Sequence, residues 1–262
     1  MGKKICTFVI FLWYSCGLFT RDVFHVSSSQ ADEIGKQIWH NECGGSIEGL
    51  THWGEGEEFP SFGIGHFIWY PRNSGESPVV FDEQFPRLRD FLRQHHEQLP
   101  VFFQGKCPWR TRSEFLEQFH SQPMLFLRSF LARTVDLQTI FIIRRFKKSM
   151  AYMLRAIEYP QRVQVKKQLN RVAQSPKGLY VLIDYLNFKG EGLKPAENYH
   201  GIRWGLFQVL TEMKGVKVGK EAVQEFAQCA KKVLARRVKN APAQRHEERW
   251  LPGWYKRIET YL

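Results

Sequence analysis

Glu42 is the residue on which chemistry in this chain could turn. It closes an amphipathic run, and Gly44 and Gly45 follow one residue later in the stretch Asn41–His66, NECGGSIEGLTHWGEGEEFPSFGIGH. The glycines predict a helix stop, so the carboxyl sits at a helix C-terminus, among unpaired carbonyls and the negative dipole end. A carboxyl there prefers to keep its proton, and burial acts in the same direction. The expectation is a raised pKa, which is how a general acid is prepared. Glu55, Glu57 and Glu58 follow in a glycine-broken acidic loop, then Ser61 and the segment Gly63-Ile64-Gly65-His66. Taken alone, the loop glutamates also read as a solvated turn, and Gly63, Gly65 and His66 as structural.

These residues need a frame. Asp32–Glu42 reads as a helix with Ile34, Ile38 and Trp39 on one face. Ser46–Trp53 and Phe59–Phe67 are rich in β-formers and predict a hairpin with a long loop. Pro71–Pro78 is a turn or loop and a natural boundary between two lobes. Beyond it the hydrophobic period turns helical. Helices are predicted over Phe81–Gln98, with Pro86 in its first turn, over Ser113–His120 behind a Thr111-x-x-Glu114 capping box, and over Met124–Ala132, Leu137–Ile157 and Val163–Gln174. Leu179–Phe188 is nearly all apolar and reads as a buried central helix. Gly190–Gly201 reads as a loop, and Trp204–Met213 and Lys220–Asn240 as further helices. The aromatics Trp53, Phe67, Trp69 and Tyr70 suit either sugar stacking or a core.

Residues 1–31 look like an export signal: Lys3 and Lys4, an uncharged run from Ile5 to Phe19, and the small-x-small site Ser29-Gln30-Ala31. The run is short for a membrane span, and an uncleaved anchor, with membrane association through this segment, is the alternative. Cys16 is a poor lipoprotein signal because Trp13 stands where an aliphatic residue is wanted. Export to the periplasm or medium is the expected location. The net charge of +12 becomes +10 without that segment (35 basic minus 25 acidic residues), which draws the protein to polyanions. No nucleic-acid-binding signature is present. Of the 5 cysteines, Cys43, Cys107 and Cys229 remain, enough for one bridge at most. With no CxxC or HExxH spacing, neither a disulfide framework nor zinc is indicated.

In the order of its pieces the chain resembles the phage-type lysozymes, muramidases of the lysozyme-like superfamily. There a Glu ends the first helix, and a hairpin follows whose second strand carries Thr-x-Gly-x-Gly-His; here stand Glu42 and Ser61-Phe62-Gly63-Ile64-Gly65-His66. The family's buried helix ending in glycine is similar to Val181–Gly190. Its later helices, Asn-x-Pro turn and arginine segment are similar to Trp204–Met213, Lys220–Val238, Asn240-Ala241-Pro242 and Arg245 or Arg249. The likeness covers 32–67 and 179–262 and leaves 71–178 unmatched.

The resemblance implies an α+β, lysozyme-like fold over 32–262. A small N-terminal lobe of helix and hairpin (32–70) would face a larger helical lobe (71–262) across a cleft. It implies hydrolysis of peptidoglycan glycan strands by a monomer with no metal or cofactor. Glu42 would be the general acid and Ser61, in place of the usual Thr, the hydroxyl that helps position water. For the second carboxylate, counting back from Ser61 points to Glu55, whereas the hairpin's shape favours Glu57. Glu55, Asn187 and Arg245 are the expected substrate contacts. A lytic transglycosylase needs no second carboxylate and is the enzymatic rival; a glycan-binding module without catalysis is the rival of another class.

Overall fold

The computed structural model describes residues 24, 26–71 and 82–262. The expected n-region and apolar run at 3–19, and most of the Pro71–Pro78 loop, lie outside the described residues. The architecture is mixed α/β and mostly helical, with a small N-terminal sheet.

Helix α1, Ser28–Cys43, starts four residues before its predicted beginning. Ser27 accepts the Gln30 N–H and the Gln30 side chain returns to the Ser27 N–H, a capping box that the sequence hid inside the expected leader. Ser29-Gln30-Ala31 therefore forms its first turn, and a cut after Ala31 would remove the cap. The helix stops at Gly44 (φ 60°) and Gly45 (φ 69°), the left-handed backbone that favours glycine. Its buried face carries Ile34, Gly35 and Ile38. Gly35 permits close packing on α5 (Val135–Ala156), since a Cβ there would stand 2.3 Å from Thr139 Oγ1.

The expected two-stranded hairpin is a three-stranded antiparallel sheet: β1 Thr51–His52, β2 Ser61–Phe62 and β3 Phe67–Ile68, in that order. Gly63–His66 is the β2–β3 turn and not strand, because Gly63 (φ 69°) and His66 (φ 46°) both take positive φ. Gln138 of α5, fully buried, fixes this turn. Its Oε1 accepts the Ile64 N–H at 3.0 Å, while its amide donates to the Leu131 carbonyl and to Thr134. Any side chain at Gly63 would strike it, with Cβ 2.3 Å from Gln138 Oε1.

Helices α2 Phe85–Gln94, α3 Arg112–Glu117 and α4 Gln122–Arg133 follow. Pro86 is in the first turn of α2, and Thr111 caps α3 as the spacing predicted. Beyond α5 come α6 Tyr159–Ala173, α7 Gly178–Lys189, α8 Leu206–Glu212, α9 Lys220–Asn240 and α10 Leu251–Glu259. The segment read as one loop holds a second small hairpin, β4 Asn198–Tyr199 with β5 Ile202–Arg203, turning at His200 and Gly201. One apolar core runs from Ile34 to Tyr261 and takes in Trp53, Phe67 and Trp69, so these rings are core. Among the described residues no helix is long and apolar enough to cross a membrane.

Candidate functional site

Four elements converge on the Glu42 carboxylate. Arg257 of α10 donates to Oε1 at 2.5 Å, and Asn187 of α7 donates to the same oxygen at 3.3 Å. From the sheet side, His66 Nδ1 stands 3.5 Å from Oε2. Burial therefore lies on every side, yet 12 % of the Glu42 side chain stays accessible. Behind it a second layer locks the arginine. Arg257 makes a two-pronged pair with Asp184 of α7 (3.0 and 2.8 Å), and Tyr261 donates to the same carboxylate at 2.7 Å. Asp184 has no exposure at all, which is tolerable only because every charge around it is paired. The guanidinium also lies 4.3 Å over the Phe188 ring.

This arrangement corrects the expected electrostatics of Glu42. Burial pushes its pKa up, as foreseen, but the Arg257 charge, His66 and the hydrogen bonds from Arg257 and Asn187 outweigh it and hold the carboxyl below the ordinary range. These partners favour the ionised form of Glu42. Burial lowers the His66 pKa, with Glu42 opposing and His52 and Arg257 adding to it. His66 also stacks on His52, ring centroids 5.8 Å apart.

Compared with protein-family models, curated proteins and solved structures, the chain finds no match.

Glu42 and Asn187 are brought together by the structure; the other expected site residues are not in contact with them. Ser61 is buried in β2, paired in register with His52 and Ile68. Glu55 and Glu58 are exposed on the loop. Glu57 is exposed too, and its Oε2 accepts the Gly54 N–H at 2.9 Å, capping its own turn, while its backbone carbonyl accepts the Trp53 indole N–H.

Arg245 is not the arginine beside the acid. It is exposed and donates to the Tyr199 hydroxyl at 3.0 Å, and Arg249 lies over the Trp250 ring. Arg257 takes that place: α10 packs on α9, and Arg257, with Tyr261 just beyond the helix, reaches Asp184 in the middle of α7. The signal that could have found it is Asp184 itself, a lone acid in an apolar helix that requires a buried cation. Among the described residues no group of three or more His, Cys, Asp or Glu side chains is placed to hold a metal ion.

Cys43 follows Glu42 directly and is a free, buried thiol whose Sγ points to the Gly63 carbonyl at 3.7 Å. Burial, with Glu42 adding, pushes its pKa up to about 12. A thiol so protonated and enclosed reacts slowly. Mass-mapped alkylation of the native protein is expected to leave Cys43 unmodified while denatured protein labels fully; fast native labelling would show that the α1 end opens in solution.

Proposed function

We propose that this protein is a lysozyme-like glycosidase that cleaves the glycan strands of peptidoglycan, with Glu42 as the general acid. The observation that carries the proposal is the Glu42 carboxyl itself. It stands at the end of α1, gripped by Arg257, Asn187 and His66, with 12 % of its side chain still accessible. A sugar bound there would exclude water, and desolvation raises a carboxyl's pKa. Arg257 is shared with Asp184, so its hold on Glu42 is divided. The proton that Glu42 takes up on binding is then delivered to the leaving glycosidic oxygen, with Arg257 ready to stabilise the carboxylate that remains.

For the attacking water, Glu57 is taken over Glu55, because it stands nearer to the second strand along the loop. Ser61, at the start of β2, is the hydroxyl proposed to help position that water. The basic surface suits the anionic wall, to which attraction falls as salt rises.

One observation favours the transglycosylase alternative. Glu57 already serves as the cap of its own turn, whereas attack by the substrate's own hydroxyl needs no second carboxylate. Mass spectrometry of fragments released from purified peptidoglycan separates these cases. Reducing-end sugars are the expected product; 1,6-anhydro ends would assign the transglycosylase reaction. Binding without release would reject both enzymatic mechanisms in favour of a glycan-binding module.

A further inference from the structure

The segment from the end of α8 into the first residue of α9 reads Lys214-Gly-Val-Lys-Val-Gly-Lys220, with three lysines, two valines and no acid. Before Lys220 it has no regular secondary structure, and its two valines face solvent, Val216 with 71 % and Val218 with 54 % of its surface exposed. Exposed valines are ordinary on loose loops. This loop is tightly braced. Arg171 of α6, itself buried, donates through Nε (2.8 Å) and Nη2 (2.5 Å) to the Lys217 carbonyl and pairs with Glu225 of α9 at 2.9 Å. Glu225 in turn accepts the Lys214 and Gly215 N–H groups, both at 2.7 Å. Ser175 donates to the Gly219 carbonyl at 2.7 Å, and Gln164 to the Met213 carbonyl at 2.8 Å. The polar groups of the brace point inward, so the Glu225 charge is spent on the brace and does not neutralise the lysines outside.

Val216 and Val218 stand two positions apart on the exposed side of the braced loop. Along α6, beside the residues that hold the loop, Val163 (53 % exposed), Tyr159 (74 %) and the exposed Lys166 and Lys167 continue the same mixture of apolar and basic groups. A water-soluble partner of pure negative charge would use the lysines but leave the valines wet. A bilayer of anionic lipid uses both, since phosphate headgroups meet the lysines and the acyl boundary takes up the valines and the tyrosine ring.

We propose that the braced loop 214–220, with the adjoining outward face of α6, docks this protein on anionic membrane surfaces. The surface lies outside the Glu42 site and is independent of the glycosidase proposal.

The test uses the full chain with vesicles of phosphatidylcholine, with and without phosphatidylglycerol. Two readouts are combined, cosedimentation and amide hydrogen exchange. Binding to the phosphatidylglycerol vesicles should weaken in high salt, and protection should appear at Val216–Val218 and along the outward face of α6. Val216→Ser/Val218→Ser should bind about tenfold more weakly, the consequence of losing part of the burial of two valines. Because exchange is read locally, membrane contact made elsewhere in the chain does not obscure the result. Protection confined to other segments, or an unchanged affinity of the double variant, would overturn the proposal. Equal retention of parent and double variant on a soluble polyanion such as polyglutamate, with no vesicle-induced protection of the loop, would assign the surface to acidic polymers and overturn it likewise.

Discussion

Glu42→Gln protein is expected to lose glycan-cleaving activity by at least a factor of ~10²–10⁴, the usual worth of general-acid assistance, while keeping its fold. The amide preserves the shape and still accepts from Arg257 and Asn187, but it has no proton to donate. Asp184 remains to neutralise Arg257, so the brace behind it survives. The pH dependence should distinguish loss of chemistry from loss of structure. The Glu42 pKa is held below its unfolded value. Its stabilising effect is therefore full above the ordinary glutamate value of about 4.3 and is lost as pH falls through the folded one. Catalysis runs the other way, since the protonated fraction grows as pH falls. Parent activity should rise toward the acid side until unfolding begins, whereas the Gln variant should be flat and less prone to acid destabilisation. A variant that digests wall as fast as the parent would reject the lysozyme mechanism.

The larger effect on stability is expected at Arg257. Arg257→Met removes the partner of a fully buried Asp184 and of Glu42 in a single step. Breaking a buried pair from one side costs about 3–5 kcal/mol, because a charge is left without compensation. At about 2–4 °C per kcal/mol for a domain of this size, Tm should fall by roughly 10 °C. Adding Asp184→Asn should recover part of the loss, since the stranded charge is then gone. Thermal melts of the three variants and the parent close that cycle. A single variant melting with the parent would mean that α10 is held by its apolar contacts alone.

How much of this was legible in the sequence depended on whether the cause was local. The end of α1 was readable because Gly44 and Gly45 can do what other residues resist, and the caps at Thr111 and Pro86 are short-range chemistry. The start of α1 was not readable, because Ser27 and Gln30 looked like the tail of a leader. Gly63–His66 looked like strand, since Ile64 and Phe67 are strand formers. Gln138, more than seventy positions away, decides otherwise by seizing the Ile64 N–H. The pKa of Glu42 went astray for a related reason. Helix end and burial are visible from the sequence nearby, and both favour the proton, but the arginine that overrules them comes from α10, more than two hundred positions along the chain. The turn Asn240-Ala241-Pro242 drew attention to Arg245, whose own partner is Tyr199.

The bond between Glu42 and Arg257 spans 215 positions, and that separation has a meaning in time. A chain synthesised at about 5–20 residues per second exposes the acid roughly 10–40 s before its arginine exists. During that interval α1 and the sheet can form, but their carboxyl has neither its counter-charge nor the roof that α10 supplies. The charge network that joins α1, α7 and α10 therefore closes only after Arg257 has been made, and until then Glu42 and Asp184 wait as carboxylates without their shared cation.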